Sequence, residues 1–371
     1  MKRLLCIVGS MDMGGAETFL MKIFRKLDKS KYQMDFAVAK KNEGTYDKEI
    51  IELGGKIYHI TPKTKGIMKN FNDIRTLVKQ EKYKYVLRTS QHSLSALELL
   101  AARLGGASTL IFRSSNSNTT SNSISQNFIH RICMFMPQHF ANVRIAPSTE
   151  AAEFMFGKGC IENRKVKLMH NGVDTSIFRY SKESRNSIRK EFNINDNSFV
   201  VGHVGRFNHQ KNHTFLIDIF IEIATQNNNA VLMLVGQGEE LNSIKNKVKS
   251  AGLENKVIYT GVRKDIPALL SAFDIFIFPS LYEGMPNTVI EAQAIGLPCL
   301  IADTITREAD FTGLVHYMSL QDSPKQWAEK AVNYASKEKL DTTEVFLKKK
   351  YDIDSVVNQF TQLCYLEKSD E

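Results

Sequence analysis

Short apolar runs, each followed by a longer amphipathic stretch, recur along this chain in two separate series. Such alternation builds strand–helix–strand units, and a string of those units builds a parallel sheet. In the first series we read strands at Arg3–Gly9, Gln33–Ala39, Lys56–Ile60, Tyr85–Thr89, Thr109–Arg113 and Arg144–Pro147. Helical spacing of Leu, Ile and Phe marks Ala16–Leu27, Ile67–Glu81 and Leu94–Leu104. The second series runs through Phe199–Val204, Ala230–Val235, Val257–Gly261, Ile275–Pro279 and Pro298–Ala302. The expected fold class is therefore α/β, with two Rossmann-like domains facing one another. A turn sequence at Asn171-Gly172-Val173-Asp174 and the polar segment Tyr180–Asn197 mark the junction. We place the first domain at 1–178 and the second at 179–344.

Charge separates the same two halves. Residues 1–178 hold 27 Lys and Arg against 15 Asp and Glu, and the remainder holds 22 against 25. All the basic excess lies in the first half, which suits a partner with a negative surface, such as an anionic membrane leaflet or a nucleic acid; a generally basic, solvated surface is the plainer alternative. No aromatic-basic recognition motif accompanies the charge, so no nucleic-acid role is expected. The apolar run after Lys2 and Arg3 is too short for a signal-peptide core, and no stretch approaches the roughly 20 apolar residues that span a bilayer. Cys6, Cys133, Cys160, Cys299 and Cys364 are scattered without metal-ligand spacing. Reduced thiols in a cytoplasm are the expectation, with neither disulfides nor structural zinc. The stretch Ser114–Asn127 is almost entirely Ser, Asn, Thr and Gln and is read as a surface loop.

Three segments carry chemistry. The first strand runs into Gly14-Gly15-Ala16-Glu17 at the start of a helix, where free backbone N–H groups and the helix dipole attract phosphate. It lacks the spacing of a dinucleotide fingerprint or a P-loop; the glycines could equally just permit a tight turn. The strand at Phe199–Val204 leads into Gly205-Arg206-Phe207-Asn208-His209-Gln210-Lys211-Asn212, putting a guanidinium and an ammonium on one loop at the carboxyl edge of a sheet. That pair suits a diphosphate. After the apolar strand Ile275–Pro279 comes Glu283-Gly284-Met285-Pro286-Asn287-Thr288-Val289-Ile290-Glu291, with a helix start at Pro286-Asn287. Glu283 then lies in the loop and Glu291 inside the helix, so the two carboxylates can accept hydrogen bonds from two sets of sugar hydroxyls.

This last segment resembles the paired-glutamate signature of retaining glycosyltransferases of the GT-B fold, in particular family 4, whose members build capsular and exopolysaccharides. The resemblance extends over nearly the whole chain through Gly14-Gly15-Ala16-Glu17, Asn171-Gly172-Val173-Asp174 with Phe178, Gly205-Arg206 with Lys211-Asn212, Val235-Gly236-Gln237-Gly238, Tyr282-Glu283-Gly284, and Glu291-Ala292 with Gly296-Leu297-Pro298. Asp303-Thr304-Ile305-Thr306-Arg307-Glu308 looks like an exopolysaccharide subgroup.

The resemblance implies a GT-B fold, two Rossmann-like domains facing across a cleft, with a C-terminal helix at about 345–366 crossing back to the first domain. It implies that Arg206 and Lys211 neutralise the nucleotide diphosphate and stabilise the charge growing on it, so that no metal or other cofactor is required. Glu283 would bind donor sugar hydroxyls, with Gly284, Met285, Pro286, Asn287 and Thr288 around sugar and phosphate, and Glu291 would bind the ribose. Gly236, Val262 and Arg263 are expected near the nucleotide, Gly14 and Gly15 near the phosphates, and Glu17 on the acceptor side. Many relatives carry a His after the strand matching Thr109–Phe112, whereas this chain reads Arg113-Ser114-Ser115-Asn116. A guanidinium with its usual pKa above about 12 is no general base. Either the leaving phosphate accepts the proton or His92 contributes; both His92 and Arg113 are placed on the acceptor side.

The expected function is transfer of a hexose or N-acetylhexosamine from a nucleotide sugar, UDP-linked, to a polyprenyl-diphosphate-linked saccharide, on the cytoplasmic face of the membrane. A nucleotide-sugar epimerase and a non-catalytic nucleotide-sugar-binding subunit are the alternatives. The segment Ile124–Val143 interleaves Phe128, Ile129, Ile132, Phe135, Met136 and Phe140 with His130 and Arg131. It is read mainly as a core helix of the first domain, with a helix lying on the membrane as the other reading.

Overall fold

The structure, a computed structural model, describes residues 1–12, 14–115, 124–335 and 339–366, without the side chains of 124–127. The chain forms two compact units, Met1–Gly172 with Lys350–Glu371, and Val173–Lys349. The division falls at Gly172 rather than at the expected 178. Gly172 packs so closely beneath the last helix that a Cβ there would meet Ile353 Cδ1 at 2.9 Å and Val356 Cβ at 3.2 Å.

The first unit is built on strands β1 (Lys2–Val8), β2 (Tyr32–Val38), β3 (Ile57–His59), β4 (Tyr85–Ser90), β5 (Thr109–Ser114), β6 (Val143–Ala146) and β7 (Lys167–Leu168). They form one sheet in the order β3-β2-β1-β4-β5-β6-β7, every pairing parallel. A parallel sheet is covered on both faces, and alternate residues of β1 serve alternate faces. Leu4, Cys6 and Val8 enter one apolar layer with Phe19, Phe24 and Phe36, while Leu5 and Ile7 enter another with Val86, Leu99 and Phe112. Two-residue β7 is too short to announce itself by periodicity.

The second unit carries β8 (Phe199–Val204), β9 (Ala230–Val235), β10 (Val257–Gly261), β11 (Ile275–Phe278), β12 (Cys299–Ala302) and β13 (Val315–Met318) in the order β10-β9-β8-β11-β12-β13, again parallel throughout. The edge strand β13, Val-His-Tyr-Met, mixes polar and apolar residues and escaped the sequence reading. In each sheet the strand order reverses at one place, between β1 and β4 and between β8 and β11. Loops leaving the carboxyl ends of such strand pairs diverge and open a crevice for ligands.

The tail expected as one helix over 345–366 is two. Thr343–Lys349 belongs to the second unit and Ile353–Cys364 to the first. Lys350 takes a left-handed φ of 59°, and the Asp352 side chain then caps the new helix at the Ser355 N–H, 2.8 Å away. Ile353, Val356, Val357 and Phe360 complete the apolar layer around Phe19, whose ring meets that of Phe360 edge-on at 6.4 Å.

The segment read mainly as a core helix differs more. It forms two helices, Ile124–Ile132 and Phe135–Phe140, followed by β6. His130, Cys133 and Pro137 face inward, whereas Phe128, Ile129, Ile132 and Phe135 are exposed. The polar stretch preceding it lies for the most part outside the described residues. All five cysteines are buried and free. Among the described residues no helix is long and apolar enough to cross a membrane.

Candidate functional site

In the second unit the two loops at the reversal point are the segment after β8 and the segment after β11. They are stitched together by backbone and amide groups: the Leu281 N–H donates to Gln210 O at 2.8 Å, Gln210 Nε2 to Tyr282 O at 2.9 Å, and Asn212 Nδ2 to Pro279 O at 3.2 Å. Asn208 turns the first loop by accepting the Lys211 N–H, and Asn212 takes the left-handed conformation that Asn tolerates well, φ 54°. This stitching delivers Lys211 Nζ to Glu283 Oε1 at 2.5 Å, with the ammonium 4.5 Å above the Phe278 ring. Both side chains are mostly enclosed, at 17% and 10% exposure, which makes the pair a charged and desolvated element of the crevice.

A third loop joins this pair. Gly236 follows β9 with φ 139°, and a Cβ there would lie 2.1 Å from Gly205 O. Only glycine lets these two loops touch. Across the contact the Phe207 N–H donates to Gln237 O and the Glu240 N–H to Phe207 O, each at 3.0 Å. Arg206, expected beside Lys211, instead meets Glu239 Oε2 at 3.2 Å with its side chain 71% exposed. Arg263 is held between Glu191 and Asp265, with both carboxylates 2.6 Å from a guanidinium nitrogen and its pKa raised by those hydrogen bonds, while Val262 beside it is exposed. The Asn287–Ala294 helix starts where the sequence indicated; Met285 is buried before it and Glu291 is buried within it.

Beneath these loops lie two histidines that the sequence reading passed over. His203 Nδ1 meets Ile277 O at 2.8 Å, and the His213 ring stacks on Phe207 at 4.1 Å. The two imidazoles meet edge-on at 4.7 Å, and a Cβ on Gly205 would lie 3.0 Å from His203 Nε2. Burial, with Lys211 adding to it, brings His213 down to about 4, and burial holds His203 well below the usual imidazole range. Both rings are neutral at pH 7. Lys211 is thus supported from below without a competing charge. Asn208, Gln210 and Glu239 were likewise missed; only the Asn-x-x-Lys spacing of an Asx turn could have flagged the first of them.

The first unit gathers a second set at its own reversal point, after β1 and β4. Gly14 precedes the Gly15–Lys26 helix, and the Glu17 carboxylate folds back over it, since a Cβ on Gly14 would meet Glu17 Oε2 at 2.4 Å. Burial raises the Glu17 pKa. After β4, His92 Nδ1 accepts the Leu94 N–H at 3.2 Å. An accepting Nδ1 places the proton of a neutral imidazole on Nε2. Behind it the Ser93 N–H donates to His130 Nδ1 at 3.1 Å and Ser93 Oγ to His130 O at 2.7 Å.

Arg113, expected on the acceptor side, is 2% exposed. It stacks on Phe19 at 3.8 Å and donates to Asn171 Oδ1 at 2.6 Å, so its fork anchors the turn Asn171-Gly172 inside the unit. Burial brings its pKa down to about 9, still protonated at neutral pH. Among the described residues no three His, Cys, Asp or Glu side chains converge on one point.

Comparison with known proteins adds the following. Residues 13–177 match the family model described as Glycosyltransferase Family 4, and residues 184–331 the model described as Glycosyl transferases group 1. A Bacillus subtilis (strain 168) protein named as a glycosyltransferase, EpsF, is 32% identical over 334 residues, covering 88% of this chain and 86% of EpsF. An Escherichia coli UDP-Gal:α-D-GlcNAc-diphosphoundecaprenol α-1,3-galactosyltransferase is 29% identical over 242 residues, 64% of this chain and 62% of the relative. Among solved structures, Anabaena HepE in complex with UDP-glucose superposes with a TM-score of 0.78 over 98% of this chain and 99% of HepE, at 19% identity. That likeness shows the fold, the two parallel-sheet α/β domains of GT-B enzymes.

Proposed function

The chain belongs to the group 1 glycosyltransferases of family 4, a family with members in polysaccharide biosynthesis, and from that premise we propose that it is a retaining, metal-independent enzyme that moves a hexose or N-acetylhexosamine from a UDP-sugar to a polyprenyl-diphosphate-linked saccharide at the cytoplasmic membrane surface. The observation that carries the reading is the Lys211–Glu283 pair, a cation and a carboxylate 2.5 Å apart at the crevice of the second sheet. A diphosphate wants the cation and a sugar hydroxyl wants the carboxylate. The name of the E. coli relative supports the donor and acceptor classes.

In this reading Lys211 and Arg206 take up the charge that grows on the diphosphate as the glycosidic bond lengthens. Arg206 must leave Glu239 to do so, and its exposure makes that exchange easy. The acceptor oxygen bonds to the anomeric carbon on the face from which the diphosphate departs. The bond from that carbon to the phosphate oxygen breaks with its electron pair, and the acceptor's proton passes to that oxygen, leaving an α-linked product. No side-chain base is then needed.

Two measurements test this. UDP or the correct UDP-sugar, at 100 times its dissociation constant and with EDTA present, adds about 2.7 kcal/mol to stability and raises the melting temperature. Lys211→Ala is expected to lower the transfer rate about a hundredfold or more without changing the fold. Full activity in that variant overturns the reading, and isomerised UDP-sugar without any acceptor points to an epimerase instead.

A further inference from the structure

We propose that the exposed face of the Ile124–Ile132 and Phe135–Phe140 helices is a docking surface for an anionic lipid bilayer, which deepens the membrane-surface reading above by naming the residues that touch the lipid. Phe128, Ile129 and Ile132 are 64, 43 and 55% exposed at the i, i+1, i+4 spacing of one face of the first helix, and Phe135, which opens the second helix, is 49% exposed. Isolated apolar residues on a surface are ordinary, but a stripe of four large ones marks an interaction site.

The charge around the stripe chooses the occupant. Residues 99–149 contain no Asp or Glu. Arg131 is exposed within the stripe itself. Arg103 Nη2 donates to Phe140 O at 3.0 Å, and Arg144 Nη2 to Gln138 O at 2.7 Å, which fixes two more cations at the end of the second helix. Lys158 is exposed next to Gly157, against which Met134 packs. The nearest acids in sequence are Glu98, buried and paired with Arg88 and Lys63, and Glu150 on the following helix. Large apolar side chains accompanied by arginines, in a stretch of chain (99–149) without a carboxylate, match the boundary between acyl chains and anionic head groups.

The same helix has a second use on its inner side. His130 accepts the Ser93 N–H there, stacks on Phe154 at 4.3 Å, and meets the His92 ring edge-on at 5.2 Å. The element that would lie on lipid therefore holds from behind the loop that carries His92, a residue of the acceptor side in the reading above.

The test is co-sedimentation of the full chain with vesicles of phosphatidylcholine plus phosphatidylglycerol, against phosphatidylcholine alone, with UDP-induced thermal shift measured on the same preparations. The wild type is expected to bind the anionic vesicles and to lose binding as salt rises. Phe128→Ser with Ile132→Ser is expected to lower partitioning about a hundredfold, because each large apolar side chain withdrawn from lipid is worth about tenfold. Arg131→Glu lowers it as well. Both variants keep the wild-type melting temperature and UDP shift, since the substituted side chains are solvent-facing. Wild type that ignores anionic vesicles at low salt, or a double variant that binds as well as wild type, overturns the docking surface. If the UDP shift persists in that case, only the surface falls; if wild type shows no UDP shift, the transferase reading falls instead.

Discussion

Three groups bear on the Lys211 side chain with separate effects: Glu283 pairs with the ammonium, the Phe278 ring faces it, and His213 lies below, kept neutral by burial. The last of these carries a pH signature. An imidazole whose pKa is lower folded than unfolded binds its proton more readily after unfolding, so its contribution is full above about pH 6.5 and is lost as pH falls toward 4. For His213 alone the loss by pH 4 amounts to as much as about 3 kcal/mol; His203 acts in the same direction. The urea midpoint is thus expected to drop across that window, and His213→Phe, which keeps the stack on Phe207, should flatten the drop. An equal fall in both proteins would remove His213 from the account.

At the scale of elements, the three loops after β8, β9 and β11 form one bracket, and Gly236 is where it closes. A methyl at Gly236 would have to occupy the space of Gly205 O, so Gly236→Ala is expected to cost about 2 kcal/mol or more and to erase the UDP-induced thermal shift. A variant with normal UDP binding would show that the loops need not touch. Much of this bracket was readable from the chain. Apolar runs placed eleven of the thirteen strands among the described residues, and Pro286-Asn287 placed the helix that buries Glu291. What escaped has a common cause: it depends on neighbours far away in sequence. Gln210 finds Tyr282, Arg206 finds Glu239, and Arg113 finds Asn171 only once the sheet has formed. Periodicity reports whether a residue is apolar and in phase, which placed Phe128 and Ile132 on a helix but could not say that their side faces solvent.

At the scale of the whole molecule, the first unit is made from two separated pieces of chain, and the second, Val173–Lys349, from one. Phe360 lies at the centre of the returning helix, fully buried beside Phe19. Phe360→Ala is expected to cost about 3–5 kcal/mol, and hydrogen exchange should show the loss first in the amides of β1 and β4, with β8 and β9 better protected. Equal loss in both sheets would mean that the units do not unfold separately. The discontinuity also orders events at the ribosome. Synthesis runs from the amino terminus, so the strands of the first unit are all made before the second unit begins, yet their apolar layer stays open on the side that Ile353–Cys364 covers. The second unit has every one of its residues in hand earlier. The domain that is started first is therefore finished last, and through the synthesis of some 180 residues its nascent form carries an uncovered apolar face.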